Sequence, residues 1–299
     1  MTDFSRGAAF IDGEYVAVVD ARIPILDWGF LHSDATYDVA HVWQGHFFRL
    51  NDYLDRFERS MAALHLSIPQ DRAQIREVMF ELVRLSGLKD AYVEVVCTRG
   101  MPAPGSRDPR SCENRFFAFA IPFVWIANDE LRQRGLNLLI SSRQRIPPES
   151  VDPRVKNYHW LDMVMGLYDA YDADADTAAL VDADGNLVEG PGFNIFARRG
   201  DQVITPERGV LEGVTRMTAL ELLAQQPVRL SLEPLTRDFA ESADELFITS
   251  TAGGVMPVTR LAGEPVGDGK VGWLSQAVNA AYWALHSDPK YTEAVNYEE

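Results

Sequence analysis

Of the 28 basic residues in this 299-residue chain only four are lysines, Lys89, Lys156, Lys270 and Lys290. Arginine serves the general surface, so each lysine can be weighed singly. Lys89 follows Ser86-Gly87-Leu88, a helix-to-strand turn; Lys270 ends the turn Gly267-Asp268-Gly269; Lys290 lies in the C-terminal tail. Only Lys156 sits among aromatic residues, in Val155-Lys156-Asn157-Tyr158-His159-Trp160. A lysine amine becomes a nucleophile where burial or a neighbouring cation lowers its hold on a proton, and Schiff-base lysines arise this way. Its surroundings alone also suit a surface lysine at the entry to a helix.

Three further segments and one arginine have types suited to the same chemistry. Glu189 ends a strand and precedes Gly190-Pro191-Gly192, whose glycines let a ligand approach the backbone. A carboxylate beside a pyridine nitrogen keeps that ring protonated and electron-accepting; a solvated strand-end glutamate is the alternative. Gly209-Val210-Leu211-Glu212-Gly213-Val214-Thr215 leads into a helix, whose free N–H groups can bind phosphate with help from the Thr215 hydroxyl. It lacks the Gly-Lys-Ser/Thr of a P-loop, and an ordinary threonine cap after a turn fits as well. Thr249-Ser250-Thr251-Ala252-Gly253-Gly254 offers a second set of donors, or a plain turn. Arg56 reads as a phosphate ligand or as a solvated helix-face arginine.

The elements that must position these residues follow from pattern. Residues 7–19 alternate around Asp12-Gly13 and residues 39–50 around Gln44-Gly45, two hairpin signals. Helical spacing covers 52–64, with Asn51 or Asp52 as N-cap, and 71–85, stopped by Gly87. Strands are read at 92–97 and 115–121, joined by a loop, 100–111, rich in Pro, Gly and Arg and long for a hairpin. Beyond a connection near 122–128 come strands at 136–141, 178–181, 187–188, 194–197, 202–204 and 245–249, and helices at 157–173, 215–225 and 274–286. Strands arrive in hairpins rather than alternating with helices, which points to an α+β chain of two domains, residues 1–121 and 129–299, with 122–128 as linker.

Composition bounds the function. A formal net charge of −16 repels polyanions, so nucleic acid is not an expected partner. No apolar run is long enough to span a bilayer; the best, residues 116–127, is interrupted by Pro122. The first residues lack the basic and apolar regions of a signal peptide, and Cys97 and Cys112 form no disulfide framework, so the expected compartment is the cytoplasm. No metal site is read.

Taken in order, Asp20-Ala21-Arg22-Ile23-Pro24, residues 32–39, Phe47-Phe48-Arg49-Leu50, Val93-Glu94-Val95, Lys156-Asn157-Tyr158-His159-Trp160, residues 189–194 and Thr251-Ala252-Gly253-Gly254 resemble segments of the fold-type IV pyridoxal phosphate (PLP) enzymes. The likeness runs from about Gly7 to Leu285, and the (R)-selective amine transaminases are the nearest group. It implies a two-domain fold, with a small N-terminal α/β sandwich and a larger barrel-like C-terminal domain, and a homodimer. It also implies PLP held as a Schiff base on Lys156, which shuttles the proton during transamination.

By the same resemblance Glu189 pairs with the pyridinium nitrogen, Arg56, Thr215, Thr251 and the backbone of Val214 hold the phosphate, and Leu211 packs against the ring. His32, Tyr37, Val39, Tyr92, Glu94, Trp160, Phe193 and Ala252 line the substrate pocket. Relatives that take both amines and keto acids meet the carboxylate with a mobile loop arginine; here the loop, 100–111, differs in length and register and carries two candidates, Arg107 and Arg110. The implied reaction moves an amino group from a primary amine, (R)-configured, to a keto acid such as pyruvate. D-amino-acid or branched-chain aminotransferase activity, aminodeoxychorismate lyase activity and a non-catalytic PLP or phosphate binder are the rivals.

Overall fold

A computed structural model describes residues 4–298. Two compact units interleave along the chain: residues 1–124, 155–159 and 286–299 form one, and residues 125–154 and 160–285 the other. The short stretch with Lys156 thus packs with the first unit, although it lies far along the sequence.

The first unit is built on an antiparallel sheet. Asp12 and Gly13 both take positive φ, and they turn β1 (Ala8–Ile11) into β2 (Glu14–Ala17). A short helix, α1 (Trp28–His32), precedes β3 (Ala35–Trp43), which turns at Gln44-Gly45 into β4 (His46–Phe48). Helices α2 (Leu50–Ala63) and α3 (Arg72–Ser86) follow, then β5 (Ala91–Met101) and β6 (Glu113–Pro122). The sheet runs β4-β3-β5-β6-β1-β2, with the C-terminal strand Thr292–Ala294 on the outer edge of β4. That returning tail is anchored by His286, whose Nε2 lies 2.7 Å from His41 Nε2 and whose ring stacks on Phe48.

Helix α3 carries both of its end signals. Asp71 and Gln74 form a reciprocal capping box, and Gly87 closes the last turn in the left-handed region. Asp71→Ala should therefore lower stability by about 1 kcal/mol in urea denaturation. Helix α2 departs from expectation. It begins at Leu50, ahead of Asn51 and Asp52, and its N-cap is Arg49 in the left-handed region with no side-chain cap. Arg49 is held instead by its N–H bond to the Tyr291 carbonyl and by its ion pair with Asp52, both from outside the pattern that a cap search reads.

In the second unit α4 (Asp129–Arg134) leads into β7 (Leu136–Gln144), followed by α5 (Leu161–Asp172) and β8 (Thr177–Val181). Then come β9 (Glu189–Gly190), β10 (Phe193–Arg199), β11 (Gln202–Thr205), α6 (Val214–Leu223), β12 (Arg229–Leu232) and α7 (Arg237–Glu241). The chain ends this unit with β13 (Glu245–Ser250), β14 (Gly254–Leu261), β15 (Glu264–Pro265) and α8 (Trp273–Ala284). The mixed sheet runs β12-β11-β10-β13-β14-β7-β8 over a core that includes Leu138, Ile195, Leu246, Ile248 and Val258.

Two readings change here. Strand β14 has no counterpart among the expected strands, and Pro257 lies within it; a proline disfavours an interior strand, yet this one pairs with Phe247 of β13. The helix expected over 157–173 starts only at Leu161. The Asn157 side chain bonds the backbone on both sides of itself, donating to the Val155 carbonyl and accepting from the His159 N–H, and such local bonds compete with helix.

Candidate active site

In the first unit the residues around Lys156 are held by backbone bonds to β3. Asn157 bridges Thr36, the Lys156 carbonyl accepts from the Tyr37 N–H at 3.2 Å and from the Thr36 hydroxyl at 2.7 Å, and the Lys156 N–H donates to Ser60 Oγ. The side chain reaches an aromatic face. Nζ lies 4.2 Å from the centroid of the Tyr37 ring, close enough for a cation–π contact.

The register explains which predicted residues gather there. Antiparallel pairing sets Val39 opposite Glu94, Tyr37 opposite Val96 and His41 opposite Tyr92. Directly opposed side chains share a face, and residues two apart along a strand do too, so Tyr37, Val39, Tyr92 and Glu94 all project from one side of the sheet. Glu94 does not face solvent: it is 9 % exposed, and its carboxylate accepts from the Tyr158 hydroxyl at 2.6 Å. Tyr158 in turn stacks on Tyr37, with ring centroids 4.3 Å apart and planes 12° from parallel.

Burial pushes the Glu94 carboxyl up to about 7, against the opposing pull of Tyr158 and Lys156. Burial likewise raises the Tyr158 and Tyr92 phenols, with the Glu94 charge adding to both. Between the ordinary 4.5 and about 7 the folded chain keeps the Glu94 proton that the unfolded chain has lost, so stability falls as pH rises through that window and stays lower above it. Glu94→Gln should flatten this part of the stability profile, a difference on the order of 3 kcal/mol at pH 8, measured by urea denaturation across pH.

Arg56 and Asp38 form a buried ion pair, Nη2 to Oδ1 2.7 Å and Nε to Oδ2 2.8 Å. Much of the guanidinium expected to meet a phosphate is thus engaged within the unit. His32 is exposed at the end of α1, edge-on to Trp28, and Arg107 is exposed in the loop after β5. Neither is placed with the Lys156 cluster by any bond among the described residues.

The second unit holds a buried acid and a helix end without a side-chain cap. Glu189 is 3 % exposed, and its two oxygens accept from Arg145 Nε at 3.1 Å and from the Leu211 N–H at 2.8 Å. Arg145 also bonds Asp162 at 2.8 Å. The Leu211 carbonyl accepts from Asn194, so both ends of the Leu211 residue are tied beside Glu189. A Cβ at Gly190 would lie 2.3 Å from the Ala178 carbonyl, which is why the chain after Glu189 must be glycine. Arg145 was missed in the sequence; its link to Glu189 spans 44 positions and has no local signature.

Helix α6 starts at Val214 with Gly213 as its cap, so no cap side chain bonds its first N–H groups. Among the described residues the buried Thr215 hydroxyl has no hydrogen-bond partner, and the same holds for Thr249 on β13. Orphaned donors at a helix N-terminus fit a phosphate. Thr251 and Ala252 are half-buried in the turn after β13; Phe193 is a core side chain of this unit, and Trp160 packs against the cluster of Met163, Leu180, Val188 and Val210. Within the second unit, a held carboxylate and an open helix end with a spare hydroxyl suit a phosphorylated pyridine ring.

Among the described residues no group of His, Cys, Asp and Glu could hold a metal, and no helix is long and apolar enough to cross a membrane. Cys97 and Cys112 are both free.

The chain is similar to known proteins over nearly its whole length. A protein of Methanocaldococcus jannaschii provisionally named a branched-chain-amino-acid aminotransferase is 31 % identical over 276 residues, 91 % of this chain and 94 % of its own. The D-alanine aminotransferase of Bacillus licheniformis is 25 % identical, over 90 % and 94 %. The structure of the T.th. branched-chain amino acid aminotransferase with pyridoxamine 5'-phosphate superposes with a TM-score of 0.90 at 24 % identity, covering 97 % of this chain and 99 % of that one. Residues 35–261 match the family model for amino-transferase class IV, and the chain therefore belongs to the class IV aminotransferases, PLP-dependent enzymes of fold type IV.

Proposed function

We propose that this aminotransferase takes its amino group from a primary amine, (R)-configured, and passes it to a keto acid such as pyruvate. The observation that carries the reading is Glu94. A buried carboxyl on the face shared with Tyr37 and Tyr92, near Lys156, disfavours a donor that brings its own carboxylate, since like charges in a low-dielectric setting repel. The keto acid still needs a cation, and Arg107 on its exposed loop is the candidate.

PLP, when bound, supplies an electron-accepting ring that makes the carbon next to the amino nitrogen acidic. Lys156 would hold it covalently, and its amine, once displaced by the donor, would take the proton from the donor carbon and hand it to the former aldehyde carbon of the cofactor. Glu189 holds the charge of the ring nitrogen, steadied by Arg145 and Leu211. Thr215, Thr251, the Val214 N–H and Arg56 would bind its phosphate, and Leu211 would pack against its ring. Tyr37, Val39 and Tyr92 line the donor side; Trp160, Phe193, Ala252 and His32 complete the proposed substrate contacts.

The relatives' names favour a second reading, an α-amino-acid donor, branched-chain or D-configured. Initial rates with (R)- and (S)-1-phenylethylamine, D-alanine and L-leucine, each with pyruvate or 2-oxoglutarate, separate the two. The amine reading expects (R)-1-phenylethylamine to exceed the other donors at least about tenfold, a difference of about 1.4 kcal/mol in barrier. Turnover of L-leucine or D-alanine with none of the amine overturns it.

We also infer a homodimer. Helix α5 leaves Leu161, Val164, Met165, Tyr168 and Tyr171 exposed, an apolar stripe that a monomer would rarely show water. Sedimentation at micromolar concentration tests this, and a monomer would refute it.

A further inference from the structure

Tyr158 has no part in the roles above, yet three contacts place it at the centre of the Lys156 cluster. Its hydroxyl donates to Glu94 Oε1 at 2.6 Å, its ring lies flat on Tyr37, and Tyr37 in turn carries the Lys156 Nζ 4.2 Å above its centroid. We propose that Tyr158 is a positioning residue for Lys156: its hydrogen bond and its ring stack hold both the Glu94 carboxyl and the aromatic platform that face the Lys156 amine. The inference deepens the proposed function and rests on Lys156 being the reactive amine.

The physical coupling runs through charge. The groups acting on Glu94 are Tyr158 and Lys156 from the crossing segment and Asp38 from β3; Tyr37 and His41 on β3 and Tyr92 on β5 are further titratable groups on that face. Tyr158 is the hydrogen-bond donor to the carboxylate form. Without that hydroxyl a buried carboxylate lacks a partner and takes up a proton more readily. Lys156 then loses a neighbouring negative charge, and its ammonium form is less favoured. Tyr158 thus governs the Lys156 amine by way of Glu94. The ring stack is a separate, steric contribution that Tyr158→Phe preserves.

The test uses the full chain without cofactor, so that it stands apart from the assignment of the reaction. Lys156 is acetylated with an N-hydroxysuccinimide ester at pH 7.5, and its extent is read by peptide mass spectrometry against exposed Lys270 as internal reference. Tyr158→Phe should raise the ratio of Lys156 to Lys270 modification by at least about threefold, the change produced when the Lys156 ammonium loses about 0.65 kcal/mol of stabilisation. Glu94→Gln should raise it by a similar factor. The double variant should match Glu94→Gln alone, because the hydroxyl acts only through that carboxyl. No change in Tyr158→Phe, or a further threefold rise when it is added to Glu94→Gln, overturns the proposal. Should Tyr158→Phe fail to fold, an unchanged ratio in Glu94→Gln overturns it equally. Failure of borohydride to fix phosphopyridoxyl on Lys156 in the loaded enzyme would instead remove the proposed reaction and leave these ratios standing.

Discussion

Lys156→Ala is expected to lower kcat by at least about 10³-fold while leaving the fold in place, because general acid–base work alone contributes about 10²–10⁴ and the covalent attachment is lost with it. The second half of that expectation comes from how the residue is held. Its backbone ties it to the sheet and to α2: the carbonyl accepts from Tyr37 and Thr36, and the N–H donates to Ser60. Alanine keeps every one of these bonds. The side chain lies over Tyr37 and is only partly buried, so its removal opens little space in the core. Circular dichroism and the melting temperature should therefore change little, while single-turnover rates collapse and borohydride no longer fixes phosphopyridoxyl at this position. Retained turnover within about tenfold of the parent would remove Lys156 from the chemistry.

Arg145→Met is expected to be the most damaging single change in the second unit, by about 3–5 kcal/mol of stability. Arg145 is 8 % exposed and serves two acids at once, Glu189 through Nε and Asp162 through Nη1. Asp162 keeps its bond from the Ile146 N–H, and Glu189 keeps that from Leu211. Both nevertheless lose the cation that offsets their burial, and removing one partner of a buried pair leaves charges that the remaining N–H bonds compensate only in part. The methionine stem fills similar volume, which separates the electrostatic loss from a packing defect. Arg145→Lys should rescue only part, since one ammonium cannot span two carboxylates in the planar fork geometry. Urea denaturation measures the loss, and equilibrium binding of PLP should weaken alongside it. A stability change under about 1 kcal/mol would show that Leu211 alone suffices to hold Glu189.

The two variants also separate what each unit contributes. Lys156 is a chemical group on a backbone that does not need it; Arg145 is a structural cation whose chemical effect is to hold Glu189 still.

Local chemistry was legible in the residues themselves. Asp71, Gln74 and Gly87 delimit α3 because capping bonds lie within four residues of one another, and Asp12-Gly13 turns the first hairpin because φ must be positive there. The lysine, the strand-end glutamate and the threonine at the start of α6 stood out by type and spacing, and the α+β order of the strands followed from their hairpins. The helix start at Leu161, the cap of α2 and strand β14 were misjudged where tertiary bonds outweigh local propensity. Asn157 is held to Thr36 and Arg49 to Tyr291, each by a partner more than a hundred residues away.

Sequence by itself therefore determined which groups are proposed for moving an amino group: an isolated lysine, a carboxylate before glycines, and a hydroxyl at a helix entrance. Only the tertiary structure decided what those groups experience. Arg145 meets Glu189, Asp38 meets Arg56, and Glu94 meets Tyr158 across 44, 18 and 64 positions, respectively. Charge and hydrogen bonding depend on distance in space, and burial decides their strength; neither is encoded in the spacing of residues along the chain.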